Sequence, residues 1–433
     1  MSSLKSSVLR YLGPFLLKYI IIFLIAFMTL YIRNLDSLMN PIMYTEDAKW
    51  LGMAFSKGWV HTFVYAKEGY FVWLNLIFLF ISAKISYLVS GSEILNLPYT
   101  ISFVSFSFYS FVPTFAFFIT KNLLNTYLRW LLFFAIIFLP MGDSSNEIFG
   151  RLSNIGYYIV FLATLFFYIR INVINYYKIL IIDFILLIFF GTNPVVIILA
   201  CLYLSYELFY RVSIKSFIIK NLSLIILLLI FILLLLTLSS KSASLVTDSF
   251  NLDSMVEVSI ARSVLYPLVF SSYHNLNDFI TIIFGLVFVV FVTYSYINSF
   301  RNKKLRTLFN FTLVSFFVFY VLTLYMRQSL TQQLSGYVTT FPDRYFIGLN
   351  LLIIFIIILS FESLLHKRKA ISCAGGIYLG LYYILNLNWI IEYKEPRLNI
   401  MKHLNWQETV CNSYFNNKNL HNNYIYLDAY FYG

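Results

Sequence analysis

Apolar runs long enough to cross a bilayer follow one another along almost the whole chain, and they limit the fold more than any other feature. A spanning helix needs about 20 apolar residues to cross a hydrocarbon core about 30 Å thick. Candidate runs occupy 15–32, 98–119, 130–141, 154–170, 179–190, 195–210, 221–238, 279–297, 308–325, 345–364 and 371–391, with a further one at 70–89. Only 12 % of residues are charged and 60 % are hydrophobic, where a soluble domain carries about 25 % charged residues. A water-facing surface cannot be built from so few charges. The composition therefore predicts an all-α polytopic integral membrane protein and speaks against a soluble enzyme, a nucleic-acid binder or a disordered scaffold.

The net charge of +12 is a topology signal. Short cytoplasmic loops collect Lys and Arg. The basic clusters are Lys5/Arg10/Lys18, Lys121/Arg129, Arg170/Lys178, Arg211/Lys215/Lys220, Arg301/Lys303/Lys304/Arg306 and Lys367/Arg368/Lys369. With all of them inside, only Asp183, Glu207 and Glu362 of the 19 acidic residues fall outside the outer segments. A nucleic-acid patch would not be dealt out to alternate loops. This arrangement has a parity consequence. If 70–89 crossed the membrane, Lys121 and Arg129 would lie outside. Lys84 within that run is also costly at the bilayer centre. The reading is about eleven spans, N-terminus inside and C-terminus outside, with 70–89 as an outer juxtamembrane helix. Residues 1–391 form the membrane domain, 33–97 its first outer loop, and 392–433 an outer tail.

Two runs, 130–141 and 179–190, hold about 12 residues each, roughly 18 Å of helix. The second ends at Gly191-Thr192-Asn193-Pro194. Irregular polar backbone at membrane depth is tolerated only beside protein or a water-filled cavity, so a cavity open to the outside is expected.

The adjacent carboxylates Glu46 and Asp47 in the first outer loop are the leading catalytic candidates. One carboxylate can act as general base at a hydroxyl while the other binds or orients. The alternative reading of the pair is a solvated loop acid or a helix N-cap, since Thr45-Glu46-Asp47 precedes a helix over 48–57. Arg33, Arg151, Arg262, Arg327 and Arg344 lie outside, where topology does not require them. Arginine pairs bidentately with phosphate, or snorkels to lipid headgroups. Asp183, inside a span, either bonds across helices or lies near enough to the cytoplasmic end to escape burial; the nearby Lys178 favours the second. Cys201, Cys373 and Cys411 are far apart and the five histidines are scattered, so a zinc or iron–sulfur site and a His-centred triad have no support. No glycine-rich phosphate loop is present.

The stretch Arg33-Asn34-Leu35-Asp36, Asn40-Pro41, Tyr44-Thr45-Glu46-Asp47-Ala48, Phe55, Gly58 and Gly69-Tyr70 resembles first-loop patterns of the GT-C superfamily. Pro140, Glu147, Arg151-Leu152-Ser153-Asn154 and Asp343-Arg344-Tyr345 are similar to later outer elements of its bacterial members. These are polytopic glycosyltransferases that use polyprenyl-phosphate-linked sugars. Size and layout look most like the serotype-converting O-antigen glucosyltransferases of enteric bacteria and their phages. The pair reads Glu-Asp where many relatives have Asp-Glu, and the His-Pro-Pro element of the protein mannosyltransferases is absent near Gly69.

The resemblance implies an inverting hexosyltransferase of the bacterial inner membrane, with its site facing the periplasm. A hexose, glucose by analogy, would pass from undecaprenyl phosphate to lipid-linked O-antigen repeat units of lipopolysaccharide. Glu46 or Asp47 would be the base. Asp36, Glu147, Asn154 and Tyr345 join Arg33, Arg151, Arg262 and Arg344 as substrate- or phosphate-binding positions. No cofactor is implied; two carboxylates would suit a divalent cation, but none is predicted. The partners implied are the lipid-linked donor and acceptor, membrane lipids, a donor-synthesising glucosyltransferase and a flippase, and no nucleic acid. The competing readings are an O-antigen polymerase, which would carry its dominant outer loop late in the chain, and a lipid-linked saccharide flippase, which would show short loops and charged spans.

Overall fold

The computed structural model describes residues 2–39, 41, 43, 45–67, 70–142, 148–210, 213–238, 252–326, 330–333, 336–337, 343–365 and 368–391. The tail 392–433, Glu147, Arg327 and the segment 239–251 lie outside the described residues. The described chain is all-helical and contains no strand. Seven of its helices are long and apolar enough to cross a membrane: Gly13–Arg33, Trp73–Ser90, Leu97–Asn122, Ile214–Leu236, Asp278–Ser299, Lys303–Met326 and Arg344–Leu365.

The helices run in the order expected from the apolar runs. We label them α1 (Ser2–Arg33), α2 (Leu35–Met39), α3 (Thr45–Lys57), α4 (Trp59–Tyr65), α5 (Trp73–Ser90), α6 (Leu97–Ile119), α7 (Thr126–Ile137), α8 (Gly156–Asn172), α9 (Tyr176–Phe190), α10 (Val195–Tyr210) and α11 (Ile214–Leu238). After a π-helical turn, Glu257–Leu265, come α12 (Asp278–Ser299), α13 (Lys303–Met326), α14 (Ile347–Leu365), α15 (Lys369–Leu385) and α16 (Leu387–Ile391). Asparagines open three of them. Asn125, Asn175 and Asn277 accept from the backbone N–H of Tyr127, Lys178 and Ile280, satisfying donors that the first turn leaves orphaned.

Helix α14 is the hub. Its apolar window is wholly buried, and α7, α8, α12, α13 and α15 pack around it. A helix that is apolar all round can only be surrounded by protein or lipid. Here protein takes that place, with Phe161 of α8 edge-on to Phe355 at 5.3 Å. At the basic end of the bundle, Glu362 of α14 accepts from Asn125 N at 2.7 Å, and Tyr127 meets Ser372 at 3.2 Å.

Asp183 corrects the favoured sequence reading. It does not escape burial; its side chain is fully covered and grips Arg170, whose side chain is equally covered. Arg170 Nε and Nη2 donate to the two Asp183 oxygens at 2.5 and 3.0 Å. Nη1 donates to Tyr203 Oη at 2.9 Å and Asn221 Oδ1 at 2.5 Å, and Nη2 also reaches Lys220 O at 3.2 Å. All five guanidinium N–H groups are therefore used. Arg170 is not a free loop charge; it ties α8, α9, α10 and α11 at their basic ends. A buried charge is tolerated on these terms alone, paired and fully hydrogen-bonded.

The other end of the bundle has a defined level. Asn193 Nδ2 donates to Gly156 O at 3.0 Å, so the α9–α10 turn lies beside the start of α8. Trp73 N donates to Gly191 O at 2.7 Å, and Leu74 N to Thr192 Oγ1 at 3.1 Å. Polar groups of the turn 191–194 are thus bonded by protein. Gly191 is needed there, because a Cβ would fall 2.2 Å from the Trp73 ring. Tyr109 of α6 packs on Tyr158 at this same level, 5.0 Å between rings. The residues Leu97–Phe108 extend past it by roughly 18 Å at 1.5 Å per residue. Helix α5 lies along that projecting part. Ser82 and Thr100 exchange hydrogen bonds, Asn96 N donates to Ser86 Oγ, and Phe78 meets Phe108 at 5.6 Å. Lys84 pairs with Glu93 at the α5–α6 turn.

Candidate functional site

Four helices converge on one turn, residues 148–155. Ser102 Oγ of α6 donates to Ser37 O of α2 at 2.6 Å, and Gly150 slots against both. Its φ is +79°, and a Cβ would lie 2.9 Å from Ser37 O and 3.0 Å from Ser102 Oγ. The next peptides are gripped from three sides. Ser105 Oγ of α6 donates to Arg151 O at 2.9 Å. Asn75 Nδ2 of α5 donates to Leu152 O at 2.6 Å and Ser153 O at 3.0 Å. Asp47 Oδ2, in the first turn of α3, accepts from Leu152 N at 3.1 Å.

Asp47 is fully buried. Burial pushes its carboxyl up to about 7, and the adjacent Glu46 adds to the rise. The Leu152 and Ser153 N–H groups and the Arg151 charge pull the other way without reversing it. The result is a carboxylate poised near neutrality, the property a general base needs. Tyr109 and Asp47 interact electrostatically. Arg33 in turn interacts with Tyr158 and Tyr383.

Five buried polar atoms in this region have no hydrogen-bond partner: Asp47 Oδ1, Asn75 Oδ1, Ser153 Oγ, Tyr109 Oη and Arg33 Nε. Orphaned buried polar atoms are rare and each calls for an explanation. Here they lie on the elements that meet at or beside the 148–155 turn.

Of the sequence candidates, the fold brings Glu46, Asp47, Arg151, Asn154 and Arg33 to this turn. Glu46 and Arg151 are half-buried and Asn154 is buried. Arg33 has a second task. Its Nη1 donates to Ile137 O and its Nη2 to Leu139 O at 2.7 Å, and its guanidinium lies 4.9 Å from the Phe149 ring. It thus caps the end of α7, with two of its five guanidinium N–H groups held by backbone carbonyls. Arg344 lies 5.2 Å from the Tyr345 ring, and Tyr345 packs edge-on to Tyr157 at 6.0 Å. That places Arg344 and Tyr345 beside the start of α8. Arg262 stands apart in the π-helical turn, over the rings of Tyr266 at 4.3 Å and Tyr273 at 4.1 Å. The Asp36 side chain, like Glu147, lies outside the described residues.

Sequence reasoning missed Asn75, Ser105, Tyr109 and Tyr158. Ser102, Ser105 and Tyr109 carry a readable signal, since their spacing puts all three on one face of a helix. Among the described residues no group of three or more His, Cys, Asp or Glu gathers to hold a metal ion. No protein-family model matches the chain, and neither the curated proteins nor the solved structures contain a match. Fold and site together describe a polytopic, all-helical protein with a buried carboxylate centre at one end of its bundle.

Proposed function

We propose that the chain is a membrane glycosyltransferase with a GT-C-like arrangement, moving a hexose from a polyprenyl-phosphate donor to lipid-linked O-antigen units on the periplasmic face of the inner membrane. The observation that carries this reading is Asp47, a buried carboxylate raised to about 7 beside Glu46 and Arg151, within a cluster of orphaned polar atoms. Acceptor hydroxyls are weak acids and need a base that is neither fully committed nor too weak near neutral pH. Asp47 meets that requirement. Half-buried Glu46 is the more accessible neighbour and orients the acceptor. Arg151 and Arg344 meet the donor phosphate, which leaves as the acceptor oxygen attacks the anomeric carbon from the opposite face. The proton of the acceptor hydroxyl passes to the carboxylate, and the configuration inverts.

The membrane placement belongs to the same proposal. About eleven helices span, with the basic loops inside. Helix α5 stays at the outer interface, supported by its docking on the part of α6 that projects past the Gly156–Gly191 level. The donor then reaches the site laterally from the outer leaflet, and a cytosolic-face glucosyltransferase and a flippase supply it.

The test is the composition and linkage of lipopolysaccharide O-antigen with and without this chain, in a host that makes polyprenyl-phosphate glucose. A new side-branch hexose is expected, and it should vanish in Glu46→Ala and Asp47→Ala. A change in chain length without a new branch would replace the proposal with a polymerase.

A further inference from the structure

A second buried polar cluster lies in the outer segments, apart from the Asp47 turn. It is built on the π-helical turn Glu257–Leu265. A π-helix is rare and gathers at functional sites, because its wide turn sacrifices regular hydrogen bonding to re-aim side chains. In this one, Glu257 and Arg262 lie five residues apart, one π-turn. Glu257 is 1 % exposed. Its Oε1 accepts from Tyr273 Oη at 2.8 Å, while Oε2 is buried with no hydrogen-bond partner. Tyrosine rings surround the pair. Tyr266 and Tyr273 meet edge-on at 5.4 Å, and Tyr337 lies 5.8 Å from Tyr273. Among the described residues Tyr337 is the one non-glycine with positive φ, +58°. A bulky side chain held in that region stores strain that a functional arrangement commonly imposes. Tyr337 Oη donates to Asp278 Oδ1 at 2.5 Å. Asp278 is exposed at the head of α12, so the cluster runs from a buried carboxylate to the protein surface.

The chemistry selects a ligand. The charges on Glu257 and Asp278 offset that on Arg262, so an anion gains little here. The rings of Tyr266 and Tyr273 both lie against the Arg262 guanidinium, so this wall of the cluster is aromatic. A carboxylate oxygen awaiting donors, walled by aromatic rings, suits a neutral polyhydroxyl ring. Hydroxyls donate to the oxygen, and the apolar face of the ring lies on tyrosine.

We infer that Glu257, Tyr273 and Tyr337 form a hexopyranose-binding subsite distinct from the Asp47 centre. Glu257 Oε2 accepts hydroxyls from the sugar. This rests on the glycosyltransferase reading only for its biological role, that of holding one sugar of the acceptor while the Asp47 centre handles another. Tyr383 connects the two regions, donating to Pro267 O at 3.1 Å in the Glu257 region while interacting electrostatically with Arg33.

The test is saturation-transfer NMR on the full chain in lipid nanodiscs, irradiating tyrosine ring protons, with millimolar methyl glucopyranoside as probe. The wild-type chain should transfer saturation to the sugar. Glu257→Gln, which keeps an acceptor for Tyr273, should weaken binding about ten-fold, the loss expected for a charge-assisted hydrogen bond. Glu257→Asp should give an intermediate loss, and keeps the proposal testable if the Gln variant does not fold. No saturation transfer in the wild-type chain, equal binding by folded Glu257 variants, or displacement of the sugar by inorganic phosphate would each overturn the subsite. Binding that depends on Glu257 in a chain that transfers no hexose would sustain the subsite and sink the transferase. Transfer without such binding would do the reverse.

Discussion

Replacing Asp47 by Asn should make the protein more stable and less active, and the stability gain should grow with pH. The carboxyl sits at about 7 in the folded chain against an ordinary value of 3.8. The folded state therefore holds this proton more tightly than the unfolded state does. Below about pH 4 both states are protonated and the group is neutral in its effect. Above about pH 7 both are ionised, and the folded state bears an ion that burial disfavours. A displacement of roughly 3 units corresponds to about 4 kcal/mol, at 1.36 kcal/mol per unit. Asn has nearly the same shape, carries no charge, and can still accept from Leu152 N. It should relieve about 4 kcal/mol at pH 8 and only about 2 kcal/mol at pH 5. Unfolding entropy of about 2.1 cal/mol/K per residue over 433 residues converts 4 kcal/mol into roughly 4 °C. The assay is thermal unfolding in detergent, followed by tryptophan fluorescence at both pH values. Equal melting of the two proteins at pH 8, or a difference that does not shrink at pH 5, would refute the assignment of a buried, strained carboxylate. A stabilised but inactive variant is the signature of a group kept for function at a cost in stability.

Three further outcomes are expected. Gly150→Ala should destabilise by about 1–3 kcal/mol, because its φ is +79° and its Cβ would press on Ser37 O; lowered melting together with lost transfer would show that the turn carries the site. Arg170→Met or Asp183→Leu alone should cost about 3–5 kcal/mol by stranding a buried charge, whereas the double replacement should recover much of it; size-exclusion and melting in detergent would show whether the two effects fail to add. Arg33→Met should free the carbonyls Ile137 O and Leu139 O at and just past the end of α7 and lower the melting temperature at every pH, since the lost bonds involve no titrating partner.

The apolar runs made helix positions legible, because a bilayer demands length and low charge and little else. Boundaries shifted where polar residues begin a helix, as at α7, which starts at Thr126 rather than near 130. The basic-cluster rule treated Arg170 as a loop charge, since sequence alone does not reveal that Asp183, Tyr203 and Asn221 arrive at the same point on three other helices. Glu46-Asp47 stood out as adjacent acids in a chain poor in them. The residues that give Asp47 its environment did not. Asn75 and Tyr109 sit inside apolar helices among 35 tyrosines, and only their convergence on one turn distinguishes them. The π-helical turn at Glu257 has no periodicity that marks it in the sequence.

The most direct measurement of the central claim uses purified chain in liposomes with radiolabelled polyprenyl-phosphate glucose and a lipid-linked O-antigen oligosaccharide. The account predicts one labelled hexose per acceptor repeat, of inverted configuration, with product lost in both Glu46→Ala and Asp47→Ala. Label transfer that persists in both variants, or acceptors that join to one another without gaining label, would contradict it.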